Sequence, residues 1–318
     1  MVRFFGQKKY MVVKKMTVDL SVEIAGIKMK NPLMTASGTF GYGRDYADFF
    51  SPAILGALVI NGVTLKPCPG NPAPRLVETP AGLLNSIGLE NPGVEVVLKE
   101  YLPPLAEYNT PLIVNIAGQT IREYVQLAEK LSTSPIVKAL EVNISCPNVQ
   151  AGGMVFGSDP EIVFQVIKQV KENTDLPIIA KLTPNVTDIV TTALAAEAAG
   201  ADALSLINTL LGMSIDLDKK RPVLANQVGG LSGPAIKPIG VRMVWQVAPK
   251  VKIPLIGMGG IINFQDALEY IMAGATAVAV GTGQFVNPHC CPEIINDLEQ
   301  YCREKGIAKI TQLKGVAL

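Results

Sequence analysis

Ala139-Leu140-Glu141-Val142-Asn143-Ile144-Ser145-Cys146-Pro147-Asn148 is an apolar run with a dense polar exit. The run reads as a strand buried in a core. Pro147 stops it, because proline lacks a ladder N–H and fixes φ. A thiol, a hydroxyl and two amides then stand at the strand's end, and Gly152 and Gly153 follow in the next loop. A nucleophile-class side chain on a loop above a rigid strand is a frequent catalytic arrangement. A cysteine taken alone reads more simply as a small buried apolar residue, so Cys146 gains meaning only from its surroundings.

The same pattern recurs. Leu33-Met34-Thr35-Ala36, Ala57-Leu58-Val59-Ile60, Pro111-Leu112-Ile113-Val114, Leu140-Glu141-Val142-Asn143, Pro177-Ile178-Ile179-Ala180, Ala203-Leu204-Ser205-Leu206, Pro254-Leu255-Ile256-Gly257 and Ala277-Val278-Ala279-Val280 are eight such runs. Short continuous apolar runs fit strands buried on both faces. Amphipathic stretches lie between them. Arg122–Leu131 carries Tyr124, Val125, Leu127, Ala128 and Leu131 at helical spacing, and Asp188–Ala199 stops at Gly200. Strand and helix alternating eight times predict an α/β fold, a (β/α)8 TIM barrel; a doubly wound sheet is the alternative. Residues 17–22 and 23–27 alternate like an N-terminal hairpin closing one end. Two insertions, at about 66–92 and about 210–234, are expected to lie over the C-terminal face as lids or binding loops.

No shift of composition demands a second domain, so residues 16–318 are expected to form a single barrel domain. Residues 1–15 are basic (Arg3, Lys8, Lys9, Lys14, Lys15) but have no apolar core segment, and read as a disordered tail. The chain has 318 residues, 48% hydrophobic and 17% charged, with a formal net charge of +1. That balance gives no general attraction to nucleic acid or to an acidic membrane. The five cysteines form no Cys-x-x-Cys pair, and His289 is the one histidine. This usage fits free thiols in a reducing, cytoplasmic setting and argues against a zinc or iron–sulfur centre on this chain, so no metal is expected. Charges and Gly/Pro interrupt the apolar residues too often for a membrane span.

Nearly every strand run is followed by polar or glycine residues: Ser37-Gly38, Asn61-Gly62, Asn115, Asn143, Lys181, Asn208-Thr209, Gly259-Gly260 and Gly281-Thr282. In a barrel these share one rim, the C-terminal face where active sites lie. Gly-Gly after the seventh strand and Gly-Thr after the eighth would bare main-chain N–H groups for a phosphate. Lys181, preceded by apolar residues, could stabilise negative charge on a reduced flavin ring or act as a Schiff-base lysine. Asn85, Asn115, Asn143 and Asn208 both donate and accept hydrogen bonds, which suits a flat ring with alternating N–H and C=O groups.

With these residues assembled, the chain resembles the dihydroorotate dehydrogenases, specifically the NAD-dependent class 1B catalytic subunits, from Met16 to about Cys302. The motifs are Ala36-Ser37-Gly38, Gly70-Asn71-Pro72 with Pro74-Arg75, Asn85-Ser86-Ile87-Gly88-Leu89, Asn143-Ile144-Ser145-Cys146-Pro147-Asn148, Gly152-Gly153 with Phe156-Gly157, and Gly230-Leu231-Ser232-Gly233. The resemblance implies an FMN enzyme that oxidises (S)-dihydroorotate to orotate in pyrimidine biosynthesis. By position, Ser37, Asn61, Gly62, Asn115, Asn143, Lys181, Ile207, Gly233, Gly259, Gly260, Gly281 and Thr282 would hold FMN. Asn85, Ser86, Ile87, Gly88, Leu89, Asn143, Asn208 and Thr209 would hold the substrate, and Cys146 would be the general base. The implied assembly is a homodimer within a heterotetramer, in which a partner carrying FAD and a [2Fe–2S] cluster passes electrons to NAD.

One position departs from the family pattern. The family usually has lysine at the end of the second strand, where this chain has Asn61. Losing that cation removes a charge-assisted hydrogen bond worth about 1.5–3 kcal/mol. Three other readings stay open: an FMN oxidoreductase for another dihydropyrimidine, a lyase using Lys181 as a Schiff base, and a non-catalytic barrel.

Overall fold

A computed structural model of the chain describes residues 17–144, 147–148 and 154–318. The tail at 1–15, Ser145, Cys146, Gly152 and Gly153 lie outside these residues.

Eight parallel strands make the central sheet: β1 (Leu33–Thr35), β2 (Leu58–Val63), β3 (Leu112–Ile116), β4 (Val137–Asn143), β5 (Ile178–Lys181), β6 (Ala203–Leu206), β7 (Leu255–Met258) and β8 (Ala277–Val280). Their order is β1-β8-β7-β6-β5-β4-β3-β2. The seam between β1 and β2 is closed by the parallel bridge Met34↔Ala57 and by the Gly56 N–H donating to the Leu33 carbonyl at 2.9 Å. Thr35 reinforces it, because its Oγ1 accepts from the Val59 N–H at 2.8 Å and donates to the Val59 carbonyl at 2.9 Å. The sheet is therefore a (β/α)8 barrel. Every residue of β1, β3, β5, β6, β7 and β8 is buried, which is why the strands read as unbroken apolar runs rather than alternating ones.

The helices pack outside. Helix α1 (Ile121–Ser132) buries Tyr124, Leu127, Ala128 and Leu131, and the Thr120 side chain accepts from the Glu123 N–H at its start. It is followed by α2 (Pro160–Lys171), capped by Asp159, and α3 (Ile189–Ala198), capped by Asp188. Gly200 then takes φ +96°, a left-handed turn that glycine enters without a Cβ penalty. The set is completed by α4 (Lys237–Val247), α5 (Phe264–Met272) and α6 (Cys290–Glu304).

Three features differ from the sequence expectation. The N-terminal hairpin pairs Val22–Ile24 with Ile27–Met29, so its turn falls at Ala25-Gly26, both at positive φ, rather than after residue 22. The segments after β1 and β2 form turns and short irregular helices, where Gly41, Gly43, Pro52, Pro103 and Pro104 interrupt a regular helix. The two insertions are not structureless loops. Leu76–Thr79 and Gly82–Asn85 from the first, with Leu210–Gly212 and Gly229–Ser232 from the second, form one four-stranded antiparallel sheet. Close approach allows it: a Cβ on Gly82 would stand 2.0 Å from the Ser232 carbonyl oxygen, and one on Gly230 would stand 2.2 Å from Thr209 Oγ1.

Candidate active site

Strand residues two apart point to the same side of a sheet, so Glu141 and Asn143 of β4 face one way. Glu141 is 2% exposed and sits at the centre of a polar cluster inside the barrel. Its Oε1 accepts from Ser205 Oγ of β6 at 2.8 Å. Its Oε2 accepts from Asn115 Nδ2 of β3 at 2.6 Å and lies 3.5 Å from Lys181 Nζ of β5. Lys181 Nζ also donates to Ser37 Oγ, just past β1, at 2.8 Å. The two charged side chains are 5% and 3% exposed. Burying such a pair is tolerable only when hydrogen bonds satisfy the remaining lone pairs and protons, and Ser37 past β1, Asn115 of β3 and Ser205 of β6 supply three of them here. An ammonium has three N–H bonds; two are directed at Ser37 and Glu141, which leaves one for a ligand.

One layer further up, Asn143 Oδ1 accepts from Asn208 Nδ2 at 3.3 Å, and the Asn143 carbonyl accepts from Tyr124 Oη at 2.7 Å. Asn208 Oδ1 in turn accepts from the Thr209 N–H at 2.9 Å. Asn61 and Gly62 occupy a break in the β2–β3 register between Ile60 and Val63. A bulge of this kind bends a strand and re-aims its side chains. Asn61 Oδ1 is buried without a hydrogen-bond partner, and Lys66 is exposed. A Cβ on Gly62 would lie 3.0 Å from Asn115 Oδ1 and 3.4 Å from Leu89 Cδ2, so those two side chains converge on the same small space.

Leu89 belongs to the segment Asn85–Leu89 at the end of the inserted sheet. Asn71 secures that segment: its Nδ2 donates to the Ser86 carbonyl at 2.9 Å and its N–H to the Ile87 carbonyl at 2.9 Å. Arg75, ion-paired with Glu90, also donates to the Asn71 carbonyl at 3.3 Å. Asn85 Nδ2 donates to the Gly230 carbonyl at 3.2 Å, so the two insertions position it jointly. Ser86 Oγ is buried and unpartnered.

The rim beyond β7 and β8 has a different character. Gly259, Gly260 and Gly233 take positive φ, and a Cβ on Gly260 would meet the Gly233 carbonyl oxygen at 2.8 Å. Thr282 Oγ1 donates to Ser232 Oγ at 2.6 Å, tying β8 to the inserted sheet. Among the described residues, the main-chain N–H groups of Gly260, Gly281 and Thr282 meet no acceptor. Tyr270 Oη braces the turn by donating to the Gly259 carbonyl at 2.8 Å; burial pushes this phenol well above its ordinary range. Lys237 pairs with Asp266 at 2.7 Å and Glu269 at 2.8 Å behind Gly260. Burial pulls this ammonium down, but the two carboxylates outweigh it and its pKa is raised.

The barrel thus gathers Ser37, Asn61, Gly62, Asn115, Asn143, Lys181, Asn208 and Thr209 at one mouth, with Asn85–Leu89 above it and the glycines at one side. Ile207 is nearly fully buried, its N–H donating to the Met258 carbonyl at 3.0 Å. Cys146 comes three residues after the end of β4 and lies outside the described residues. Glu141 and Ser205 were missed by sequence reasoning. The signal for Glu141 was present: a carboxylate in the middle of an apolar strand has to be paired inside the core.

The unsatisfied groups specify a ligand by complement. Free amide donors on a glycine turn suit a phosphate. The remaining Lys181 N–H and the unpartnered Asn61 oxygen and Ser86 hydroxyl suit polar groups of a ligand. Among the described residues no helix is long and apolar enough to cross a membrane, and no group of three or more His, Cys, Asp or Glu residues could hold a metal.

Known proteins resemble this chain over most of its length. The dihydroorotate dehydrogenase family profile matches residues 19–302. A dihydroorotate dehydrogenase B (NAD(+)) catalytic subunit from Desulforudis audaxviator is 58% identical over 302 residues, covering 95% of this chain and 98% of that protein. The protein of the same name from Geotalea uraniireducens is 56% identical over 300 residues, covering 94% and 98%, and that from Desulforamulus reducens is 56% identical over 302 residues, covering 95% and 99%. The chain belongs to the dihydroorotate dehydrogenase family of oxidoreductases.

Proposed function

We propose that residues 16–318 form one FMN-binding domain that oxidises (S)-dihydroorotate to orotate for pyrimidine synthesis. The observation that carries this reading is the buried Lys181–Glu141–Asn115–Ser205 cluster at the strand ends, together with the unpaired main-chain amides of Gly260, Gly281 and Thr282. FMN would supply a two-electron acceptor at ring atom N5. The residues present fit it. Gly259, Gly260, Gly281 and Thr282 would bind the phosphate through main-chain N–H groups, with Gly233 allowing the close approach of the turn. Lys181, Ser37 and Asn115, with Asn61, Gly62, Asn143 and Ile207, would hold the ring.

The substrate would lie between the ring and the segment Asn85-Ser86-Ile87-Gly88-Leu89. Asn85, Asn143, Asn208 and Thr209 would orient its N–H and C=O groups, as amides do for both. Cys146, at the exit of β4, would take the proton from the carbon next to the ring carbonyl as a thiolate.

A protein partner follows from the relatives' names, which describe a catalytic subunit. In this reading two copies of the chain join two subunits that carry FAD and a [2Fe–2S] cluster, in the cytoplasm. Exposed Leu211, Met213, Ile215 and Leu217 on the second insertion support a contact with another protein.

A second reading has its own observation. The unpaired Asn61 amide offers no charge to a substrate carboxylate, which suits a neutral dihydropyrimidine. The Schiff-base reading of Lys181 is disfavoured, because the side chain is committed to Glu141 and Ser37. Steady-state oxidation of dihydroorotate and of dihydrouracil with a dye as acceptor separates the two surviving readings. Dihydroorotate is expected to be the substrate; a preference for dihydrouracil would move the assignment to the second.

A further inference from the structure

We infer that Glu141 is a positioning residue that sets both the orientation of the ring-binding side chains and the charge felt by the bound flavin. The inference rests on the proposed FMN site and extends it to a residue that has no part in that reading beyond the cluster's existence.

Three observations carry it. First, a carboxylate only accepts hydrogen bonds, so Glu141 Oε2 at 2.6 Å fixes which end of the Asn115 amide faces it. Nδ2 is held inward, and Oδ1 is left on the side where a Cβ on Gly62 would stand 3.0 Å away. Asn115 thereby offers the mouth an acceptor for a ring N–H. Second, Glu141 and Ser37 direct two of the Lys181 N–H bonds, which aims the third. Lys181 thereby offers a donor for a ring carbonyl. Third, the pair is formally neutral and nearly solvent-free, with both side chains at most 5% exposed. Among the described residues, Glu141 is the titratable side chain in contact with Lys181; Lys181 also donates to Ser37, and Glu141 also accepts from Asn115 and Ser205.

Charge arithmetic makes the claim testable. The native cluster carries formal charge zero. Glu141→Gln makes it +1, Lys181→Met makes it −1, and the double variant restores zero. Glutamine also preserves the geometry. Its Nε2 can face Ser205, whose hydroxyl accepts as well as donates, while its oxygen still receives Asn115 Nδ2. Reduction adds negative charge to the flavin, so a more positive surrounding raises the midpoint potential.

The experiment is the midpoint potential of bound FMN in the purified native protein, both single variants and the double. The expected order is Glu141→Gln highest, native and double variant close together, and Lys181→Met lowest. Each single shift is expected to reach at least tenfold in the reduction equilibrium, about 30 mV for a two-electron couple. If Glu141→Gln does not fold, Lys181→Met and the double variant still form a complete comparison, and adding Glu141→Gln must raise the potential. Unchanged potentials, or a fall caused by Glu141→Gln in either background, overturn the inference while leaving the FMN reading intact. A native protein that binds no FMN overturns that reading itself.

Discussion

Lys181→Met is expected to destabilise the apoprotein severely. The ammonium lies 3.5 Å from Glu141 Oε2 with both groups out of water. At that distance and an effective dielectric of about 20 the attraction is roughly 5 kcal/mol. The hydrogen bonds from Asn115 and Ser205 persist in the variant, so Glu141 retains two of its partners but loses its counter-charge. Removing one member of a buried pair typically costs about 3–5 kcal/mol, whereas removing both charges together is often close to neutral. At about 2–4 °C per kcal/mol, the single variant should melt roughly 6–20 °C below the native apoprotein. Glu141→Gln combined with Lys181→Met should recover most of that loss. Differential scanning calorimetry of the three flavin-free proteins measures it. A single variant within about 1 kcal/mol of native, or a double variant no better than the single, would refute the view that these charges depend on each other.

Other outcomes follow from the same structure. Cys146→Ala is expected to lower dihydroorotate turnover by about 10²- to 10⁴-fold, the usual worth of a general base, while the protein stays yellow; near-normal turnover would remove the base role from Cys146. Asn71→Ala deletes the Nδ2 bond to the Ser86 carbonyl, worth about 0.5–1.5 kcal/mol, so KM for dihydroorotate should rise roughly 2- to 10-fold with little change in FMN content. Lys237 has a raised pKa in the folded protein because Asp266 and Glu269 outweigh its burial. Its contribution is therefore complete below its unfolded pKa of about 10.4 and is lost as pH rises through the higher folded value. Denaturation midpoints measured toward strongly alkaline pH should fall less steeply in Lys237→Met than in the native protein.

The barrel was legible because parallel strands buried on both faces leave continuous apolar runs, and because α1 carries clear periodicity while α3, apolar nearly all round, is marked by its Asp188 cap and the Gly200 stop. The inserted sheet was not. It pairs Leu83–Asn85 with Gly230–Ser232, segments about 150 residues apart, through strands of three or four residues. Nothing local announces such a pairing, so both insertions read as loops. The hairpin turn slipped because Ala25 adopts positive φ, a conformation its side chain does not advertise. At the mouth of the barrel, Asn115, Asn143 and Lys181 stand at or next to the ends of their strands, a position that topology alone implies. Glu141 was passed over because the apolar letters around it dominated the reading of its strand, although a charge in that setting has few explanations besides an internal partner. The bulge that carries Asn61 and Gly62 depends on the β2–β3 register, which the sequence of β2 does not contain.

The most direct test is an anaerobic titration of the purified, flavin-loaded protein with dihydroorotate, followed by absorbance. The account predicts that the visible flavin band bleaches to completion and that orotate appears in equal amount, one molecule per flavin. A protein that carries no flavin, or whose flavin keeps its colour in excess dihydroorotate while dithionite bleaches it, would contradict the account.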